Sequence, residues 1–349
     1  MKVNIISRLS FTLTDILTVS EYKLSTDSEY SGKSQFVLHR KPVAEEDDFI
    51  ILMDDGVQFQ GIISSIENKK GQNSYTVTAI EMPRLFDQKV VLANEPLLAT
   101  GIEDFIAAEI TGNWISNADD IVNIDYLTVT AKTHTPIAAA VDAEEGGVYN
   151  LCTYIGNAMT KYGIFLTFEF TASALNIVIE KKTQSTLQID TGIADIMNLS
   201  EVHSVQALAK LTVLWYQGSE ATTATVKNFF LSTDRTITQT MTDPDRAKGT
   251  VDVMVSKAET EAAMIQEVQD KFTGNSYNHK ITFDFLITSK LISESEMYVG
   301  HSCKVKTKNG IKDSIITAIN KSNESNSINV TLGQMKVTLI EKLKGVELK

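Results

Sequence analysis

Apolar and polar residues alternate with a period of two through most of the chain, in runs rich in Val, Ile, Thr, Tyr and Phe that Gly, Asn, Asp and Ser separate. This pattern is typical of antiparallel strands with one buried face. It predicts four successive strands at residues 35–39, 48–53, 57–66 and 73–80, with a tight turn at 54–56. The first part of the chain is therefore predicted to be a β-meander.

The spacing of apolar residues becomes helical in the middle of the chain. One helix is predicted behind Thr100, which forms a capping-box pattern with Glu103. Its apolar positions are Ile102, Phe105, Ile106 and Ile110. A second predicted helix ends at Gly163, where a helix C-terminus favours a positive φ. Its apolar face consists of Val148, Leu151, Cys152, Ile155, Met159 and Tyr162.

Strands follow these helices at 164–170 and 175–181 and return from residue 203 onward. The later strands are interrupted by one helix, predicted at 257–273 behind a capping box of Ser256 and Glu259. The pattern predicts an α+β, mainly β chain, in which two antiparallel β-rich domains flank an α/β insertion domain. The predicted domains are residues 1–95, 96–195 and 196–349, and whether the third lends strands to the first is left open.

Residues 61–78 and 314–331 carry nearly the same hairpin sequence, 253 positions apart. We call them the first and the second hairpin. Aligned without a gap, they are identical at seven of eighteen positions: Ile62/Ile315, Ile63/Ile316, Ile66/Ile319, Asn73/Asn326, Ser74/Ser327, Val77/Val330 and Thr78/Thr331. The first hairpin opens with Gly61.

A comparable turn precedes each hairpin. Asp55 and Gly56 precede the first and Asn309 and Gly310 the second, and both dipeptides accept the positive φ angles of tight turns. One extra residue separates the glycine from the first hairpin. Shared β-propensity alone can produce short chance matches. The matched order of turn, Ile-Ile strand, polar loop and returning strand indicates instead two related β-domains.

Two related domains in one chain have a geometric use in an oligomer. Three copies of such a chain can form a ring of six similar units, which lets a threefold body bind a sixfold partner. The hairpin pair therefore makes a structural adaptor the leading hypothesis.

The run DDFIILMDDGVQFQGIISSIENKKGQNSYTVTAIEMPRLFDQKVVL, residues 47–92, resembles the N-terminal region of bacteriophage tail-hub proteins. These are the baseplate hub of contractile tails and the tail-associated protein of long non-contractile tails. The matching features, in order, are Asp55-Gly56, Gly61-Ile62-Ile63 and Leu85-Phe86-Asp87-Gln88-Lys89. Elsewhere the resemblance extends only to the order of elements.

The resemblance implies a non-enzymatic component of a phage or prophage tail tip. It implies that the two β-rich domains are tube-like antiparallel β-barrel domains. It also implies a homotrimeric, pseudo-hexameric ring that caps the tail tube and connects it to a distal spike or receptor-binding apparatus. The implied partners are a distal tail or tube protein, a tape-measure protein and spike or receptor-binding proteins, with DNA passing through the lumen without specific binding. The implied location is the virion tail, after synthesis in the host bacterial cytoplasm. Some relatives carry lytic domains after the hub, and we expect none here because the sequence ends at Lys349.

Charge and composition exclude further classes of function. The net charge of −12 and pI near 5.0 disfavour nucleic-acid binding, because such binding needs clustered Lys and Arg. An acidic lumen lets DNA slide past. The N-terminal residues contain no apolar run long enough for a signal h-region or a membrane span, so we expect no membrane insertion.

Candidate chemistry is sparse. Cys152 and Cys303 are too few for a disulfide framework or a four-ligand zinc site, and both are expected in the core. His301 lies two residues before Cys303, but two ligands alone rarely hold zinc. We therefore expect no metal, no cofactor and no catalytic residue. Two alternatives stay open: a tail-associated cell-wall hydrolase (endopeptidase or glycosidase) with an acid/base pair in the insertion, and a carbohydrate-binding module for host recognition.

Overall fold

The computed structural model describes residues 1–54, 56–68, 74–93, 96–139, 141, 143, 147–183, 185–203, 207–218, 220–232, 236–240, 242, 245–275, 277 and 279–333. Asp55 of the predicted turn and the matched residue Asn73 lie outside them. The chain divides into two units, Met1–Leu199 with Phe283–Val330 and Ser200–Thr282 with Thr331–Lys349. The predicted domain boundaries after residues 95 and 195 stay predictions.

The N-terminal residues form a closed six-stranded barrel. Its strands are β1 (Lys2–Ile6), β2 (Leu13–Asp27), β3 (Ser34–Leu38), β4 (Phe49–Met53), β5 (Val57–Asn68) and β6 (Tyr75–Glu81). Every ladder is antiparallel, the spatial order is β1-β4-β5-β6-β3-β2, and a β1–β2 ladder closes the ring. The prediction of a mainly β fold with an antiparallel barrel is confirmed.

Alternating side chains of these strands fill the barrel interior, as the period of two requires. Fully or almost fully buried residues from all six strands form this core: Val3, Ile5, Leu17, Val19, Tyr22, Leu24, Phe36, Leu38, Ile50, Leu52, Phe59, Ile63, Val77 and Ala79. Ile62 and Phe49 point the other way and pack in the core of the insertion. The barrel is therefore held on its outer side as well as by its interior.

The insertion comprises two helices and small sheets. Its elements are β7 (Lys89–Val91), α1 (Gly101–Ile110), β8 (Leu127–Ala131), β9 (Val148–Asn150), α2 (Leu151–Tyr162), β10 (Ile164–Phe170) and β11 (Leu175–Lys181). One sheet has the order β10-β11-β8, with β8 parallel to β11, and the other pairs β7 with β9. A π-helical turn, Thr111–Ile115, extends α1.

The helix ends show which local predictions hold. The Asn150 side chain accepts a hydrogen bond from the Thr153 N–H and caps α2, and Gly163 ends it at φ 69°. The capping box predicted at Thr100 is wrong, because its side chain makes no capping bond. Glu103 is instead fully buried, where it accepts hydrogen bonds from Thr133 Oγ1 and from the N–H and Oγ1 of Thr135. Hydrogen bonds to residues about 30 positions away therefore replace the predicted capping bond of Glu103.

The remaining elements begin at residue 187. They are β12 (Leu187–Asp190), β13 (Ile196–His203), β14 (Leu208–Trp215), β15 (Thr225–Leu231), β16 (Ile237–Thr238), β17 (Thr250–Ser256), α3 (Glu261–Asn275), β18 (His279–Leu286), β19 (Ser302–Thr307), β20 (Gly310–Ser322) and β21 (Ser327–Gly333). Six of these strands form a second β-sheet module in the order β12-β19-β20-β21-β18-β13. Among the described residues no ladder joins β12 to β13, so this module is open at that point.

A four-stranded sheet, β16-β15-β14-β17, lies between β13 and β18 in the sequence, and α3 packs on it. The predicted capping box of Ser256 and Glu259 is wrong, because Ser256 ends β17 and Glu259 precedes the helix. Thr260 Oγ1 accepts a hydrogen bond from the Ala263 N–H instead. The predicted apolar residues Val268 and Phe272 are buried in this small core.

Candidate functional site

The two β-modules have the same strand order. In chain order the first module uses β1 to β6, and the second uses β12, β13, β18, β19, β20 and β21. In both, the spatial order is first, fourth, fifth, sixth, third and second strand. The four-stranded sheet and α3 interrupt the second module between its second and third strands. The two modules thus share one strand order, although 75 residues, 204–278, separate the second and third strands of the second module.

The strand register is also the same in both modules at the offset of 253 residues. Phe49 pairs with Ile62 in the first module, and Ser302 pairs with Ile315 in the second. Further along, Leu52 pairs with Phe59, as Val305 does with Lys312 at the equivalent position. A slip of one residue would reverse the facing of every side chain, so this agreement fixes the same face inward in both modules.

A pair of backbone hydrogen bonds recurs at the end of each ladder. The Ile63 N–H donates to the Asp48 carbonyl, and the Asp47 N–H donates to the Ile63 carbonyl, both at 2.8 Å. At the same offset the Ile316 N–H donates to the His301 carbonyl at 3.0 Å, and Gly300 donates to Ile316 at 2.8 Å. Asp47 has φ 73° and Gly300 has φ 89°, so both modules place a left-handed residue here.

The extra residue in the first module is accommodated as a β-bulge. The β4–β5 register shifts between Leu52 and Met53, which pair with Phe59 and Val57 and leave Gln58 as the additional residue. The turn glycines before the two hairpins nevertheless match, since Gly56 has φ 128° and Gly310 has φ 112°. An ideal Cβ on either glycine meets no heavy atom within 4 Å. Their requirement for glycine is therefore conformational and not steric.

The matched apolar residues of the two hairpins have matching environments. Ile62 and Ile315, Ile63 and Ile316, and Val77 and Val330 are all buried, with exposed fractions between 0% and 3%. Ile66 and Ile319 are both half-buried. These residues are packing elements of two equivalent modules.

Gly61 has a role of its own in the first hairpin. It pairs with Ile50 on one side and Glu81 on the other. An ideal Cβ at Gly61 would lie 2.4 Å from the Ile80 carbonyl oxygen and 2.5 Å from the Phe59 ring. The second module has Ser314 at the equivalent position, 3% exposed. Gly61 is thus specific to the packing of the first module.

The two modules are joined by a backbone ladder, which we call the internal seam. The last five residues of β2, Lys23 to Asp27, pair antiparallel with Ser322 to Ala318 of β20. The seam continues one bond further, from the Ser28 N–H to the Thr317 carbonyl at 2.9 Å. Asn323 closes the other end, because its Oδ1 accepts from the Tyr22 N–H and its Nδ2 donates to the Ser20 carbonyl, each at 2.9 Å.

Replacing Asn323 by alanine removes both of these bonds, so we expect the free energy of unfolding to fall by about 1 kcal/mol. Urea unfolding followed by circular dichroism measures this loss. Glu324→Ala, at the exposed neighbouring position, is the matched control and is expected to change stability by less than about 0.5 kcal/mol. Equal stability of the two variants would show that Asn323 does not hold the seam.

A cavity of about 420 Å³ lies next to the seam, lined by residues that include Thr26, Tyr30, Glu81, Met159, Tyr298 and Ile319. The Glu81 side chain is partly buried beside this cavity, and its Oε2 accepts a hydrogen bond from the Asp27 N–H at 3.1 Å. Burial raises the pKa of Glu81 to about 8, against the lowering effect of that bond and with the support of the nearby Asp27 carboxylate.

The histidine and cysteine side chains considered as candidate metal ligands have defined surroundings in the structure. Within the described ranges no group of three His, Cys, Asp or Glu side chains is placed to hold a metal ion. Both ring nitrogens of His301 lie within hydrogen-bond distance of carbonyl oxygens, those of Glu296 and Ser185. Cys152 and Cys303 are buried, and burial raises the pKa of each thiol to about 12. Within the same ranges, every helix is too short or too polar to cross a membrane.

Three residues that contribute to this region are not predicted by the sequence pattern. Asp47 has an unusual backbone that no side-chain pattern signals, although the glycine at the matched position 300 points to it once the offset is known. Asn323 was not singled out, although it directly follows the second hairpin's first strand. Glu81 is the last residue of a strand with ordinary alternation, and no neighbouring residue in the sequence indicates its burial.

Comparisons with known proteins agree with the fold. No family model matches the sequence, and no curated protein matches it. Among solved structures, the prophage tail protein gp18 from Listeria monocytogenes EGD-e is similar, with a TM-score of 0.58, 11% identity and coverage of 99% of this chain and 98% of that one.

Two further solved structures are similar over nearly their whole length. The tail protein from Neisseria meningitidis MC58 has a TM-score of 0.56 and 11% identity, covering 96% of this chain and 97% of that one. The 43 kDa tail protein of prophage MuSo2 from Shewanella oneidensis has a TM-score of 0.53 and 12% identity, covering 96% and 98%. The chain therefore has the fold of phage and prophage tail proteins, as its resemblance to the tail-hub family implies.

Proposed function

We propose that this chain is a structural component of a phage or prophage tail tip, a baseplate hub in the virion tail. Three chains form a homotrimeric ring of six β-modules that caps the tail tube and connects it to a spike or receptor-binding apparatus. The observation that carries this proposal is the recurrence of one strand order and one register 253 residues apart in a single chain. A chain with two equivalent modules needs only threefold symmetry to present six of them.

The partners follow from that role. The ring binds a distal tail or tube protein on one face and spike or receptor-binding proteins on the other, and a tape-measure protein occupies its lumen. The net charge of −12 supports passage of DNA without specific binding, because a negative surface offers phosphates no cationic sites. Catalysis has no part in this function.

The mass of the purified chain in solution tests the proposal. At high protein concentration we expect three times the 38.5 kDa of one chain, measured by sedimentation equilibrium or native mass spectrometry. Mass action favours assembly as concentration rises, so the measurement covers a wide concentration range. A mass of one chain at every concentration contradicts the trimer.

Assays for the alternative functions accompany the mass measurement. Hydrolysis of host peptidoglycan by the purified chain, abolished by one Asp or Glu substitution in the insertion, would replace the structural proposal by a cell-wall hydrolase. Retention on host cell-wall glycans without hydrolysis would favour a carbohydrate-binding module. We expect neither activity.

A further inference from the structure

The internal seam between the two modules predicts where a second copy of the chain attaches. The internal seam uses the end of one strand from each module. The first module uses the end of β2, and the second uses the end of β20. The equivalents of these two segments in the opposite modules are the end of β5 and the end of β13, because β5 matches β20 and β13 matches β2 in the strand order.

The end of β5 is an open edge among the described strands. β4 pairs only with residues 57–62 of β5, and the bonds from Ile63 to residues 47 and 48 end that ladder. Residues 65–68 pair with β6 on their other side. By the offset of 253, residues 65–69 correspond to 318–322, the segment of β20 that pairs with β2. The first module therefore presents the same edge that the second module uses in the seam.

The outer side of β13 is the complementary edge. β13 ends the strand order of the second module, with β18 on one side and no described ladder on the other. In the first module the same side of β2 is covered by β1 and then by β20. Ser200 is exposed and Val202 is 54% exposed, near the end of β13 that corresponds to Lys23–Asp27. An exposed strand edge is a template for pairing with another chain.

We propose that the end of β13 (200–203) in one copy pairs antiparallel with the end of β5 (64–68) in the next, reproducing the internal seam between chains. This inference rests on the proposed function and names its interface. The contact is head-to-tail, since each copy contributes one edge of each kind, and such a contact forms a ring when the rotation from copy to copy closes. With one internal and one external seam per chain, three copies give six modules and six seams.

Paired cysteines test this interface without depending on its exact register. Glu67 is exposed and corresponds to Asn320, which faces Ser25 across the internal seam. Glu67→Cys is combined in turn with Ser200→Cys, Glu201→Cys and Val202→Cys, and a short thiol crosslinker is added to the full-length protein. Directly opposed side chains of paired strands have Cβ atoms about 5 Å apart. The native thiols stay unreactive because both are buried with raised pKa values.

The expected result is a shift on a denaturing gel from one chain to covalent species of two and three chains for at least one scanned pair. Ser25→Cys with Asn320→Cys is the positive control and should crosslink within one chain. Glu67→Cys with Val251→Cys, an exposed position on β17 outside the seam, is the negative control and should give no species above its background.

The outcomes separate this inference from the function on which it rests. A trimer by mass that gives no crosslink between β5 and β13 at any scanned position overturns the external seam and leaves the trimeric hub intact. A single-chain mass at every concentration overturns the trimer and the seam together. Crosslinks that appear only between other positions also overturn the seam.

Discussion

Replacing Gly61 by alanine is expected to lower the free energy of unfolding by about 3 kcal/mol. The added Cβ would lie 2.4 Å from a backbone oxygen, that of Ile80, and 2.5 Å from the Phe59 ring. The ring is almost fully buried in the barrel core, so it has little room to move. The β5–β6 ladder holds the Ile80 oxygen in place. Urea unfolding followed by far-ultraviolet circular dichroism measures the loss.

Gly112→Ala is the matched control for this substitution. An ideal Cβ at Gly112 meets no heavy atom within 4 Å, and its φ lies outside the left-handed region. Because Gly112 belongs to a helical turn, alanine is expected to be neutral or to stabilise by less than about 1 kcal/mol. If Gly61→Ala is as stable as Gly112→Ala, the close approach of β5, β6 and Phe59 is not a constraint on the first module.

Glu81→Gln is expected to flatten the dependence of stability on pH between about 4.5 and 8. The pKa of Glu81 in the folded chain is about 8, above the ordinary value of 4.5. As pH rises through this window, the unfolded chain releases the proton while the folded chain keeps it, so the wild-type protein loses stability. The loss amounts to a few kcal/mol, is absent below the window and is complete above it.

Urea unfolding at pH 5 and pH 8 measures this effect for the wild-type chain and the variant. Glutamine keeps an oxygen that can accept the Asp27 N–H, so the variant removes the titration and preserves the bond. Glu67→Gln, at an exposed position of β5, is the control and should retain the wild-type pH dependence. Identical pH profiles for wild type and Glu81→Gln would show that the carboxyl is not buried as the structure has it.

The repeated hairpin was predictable because its signal is carried by buried residues at fixed spacing. Ile62, Ile63 and Val77 are as deeply buried as Ile315, Ile316 and Val330, and the spacing of the buried residues is the same in both hairpins. The turn glycines were predictable for a backbone reason, since both have positive φ angles. Burial at fixed spacing and a positive φ each restrict the residue type at one position, so both can be recognised in the sequence.

Other features depend on contacts between residues far apart in the chain and left no such trace. No strand was predicted before residue 35, yet β1 and β2 close the first barrel through their ladder. Glu103 fits a capping box by spacing alone, but Thr133 and Thr135 bind its carboxylate about 30 residues away. The internal seam joins residues nearly 300 positions apart and is likewise invisible locally.

The two modules differ in the orientation of their first strand as well as in the closure of the sheet. β1 runs antiparallel to β4, whereas β12 runs parallel to β19. A ligand or protein that touches this strand therefore meets opposite backbone polarity in the two halves of one polypeptide. In the proposed ring of six modules, a partner that requires one direction of this backbone would bind at every second module.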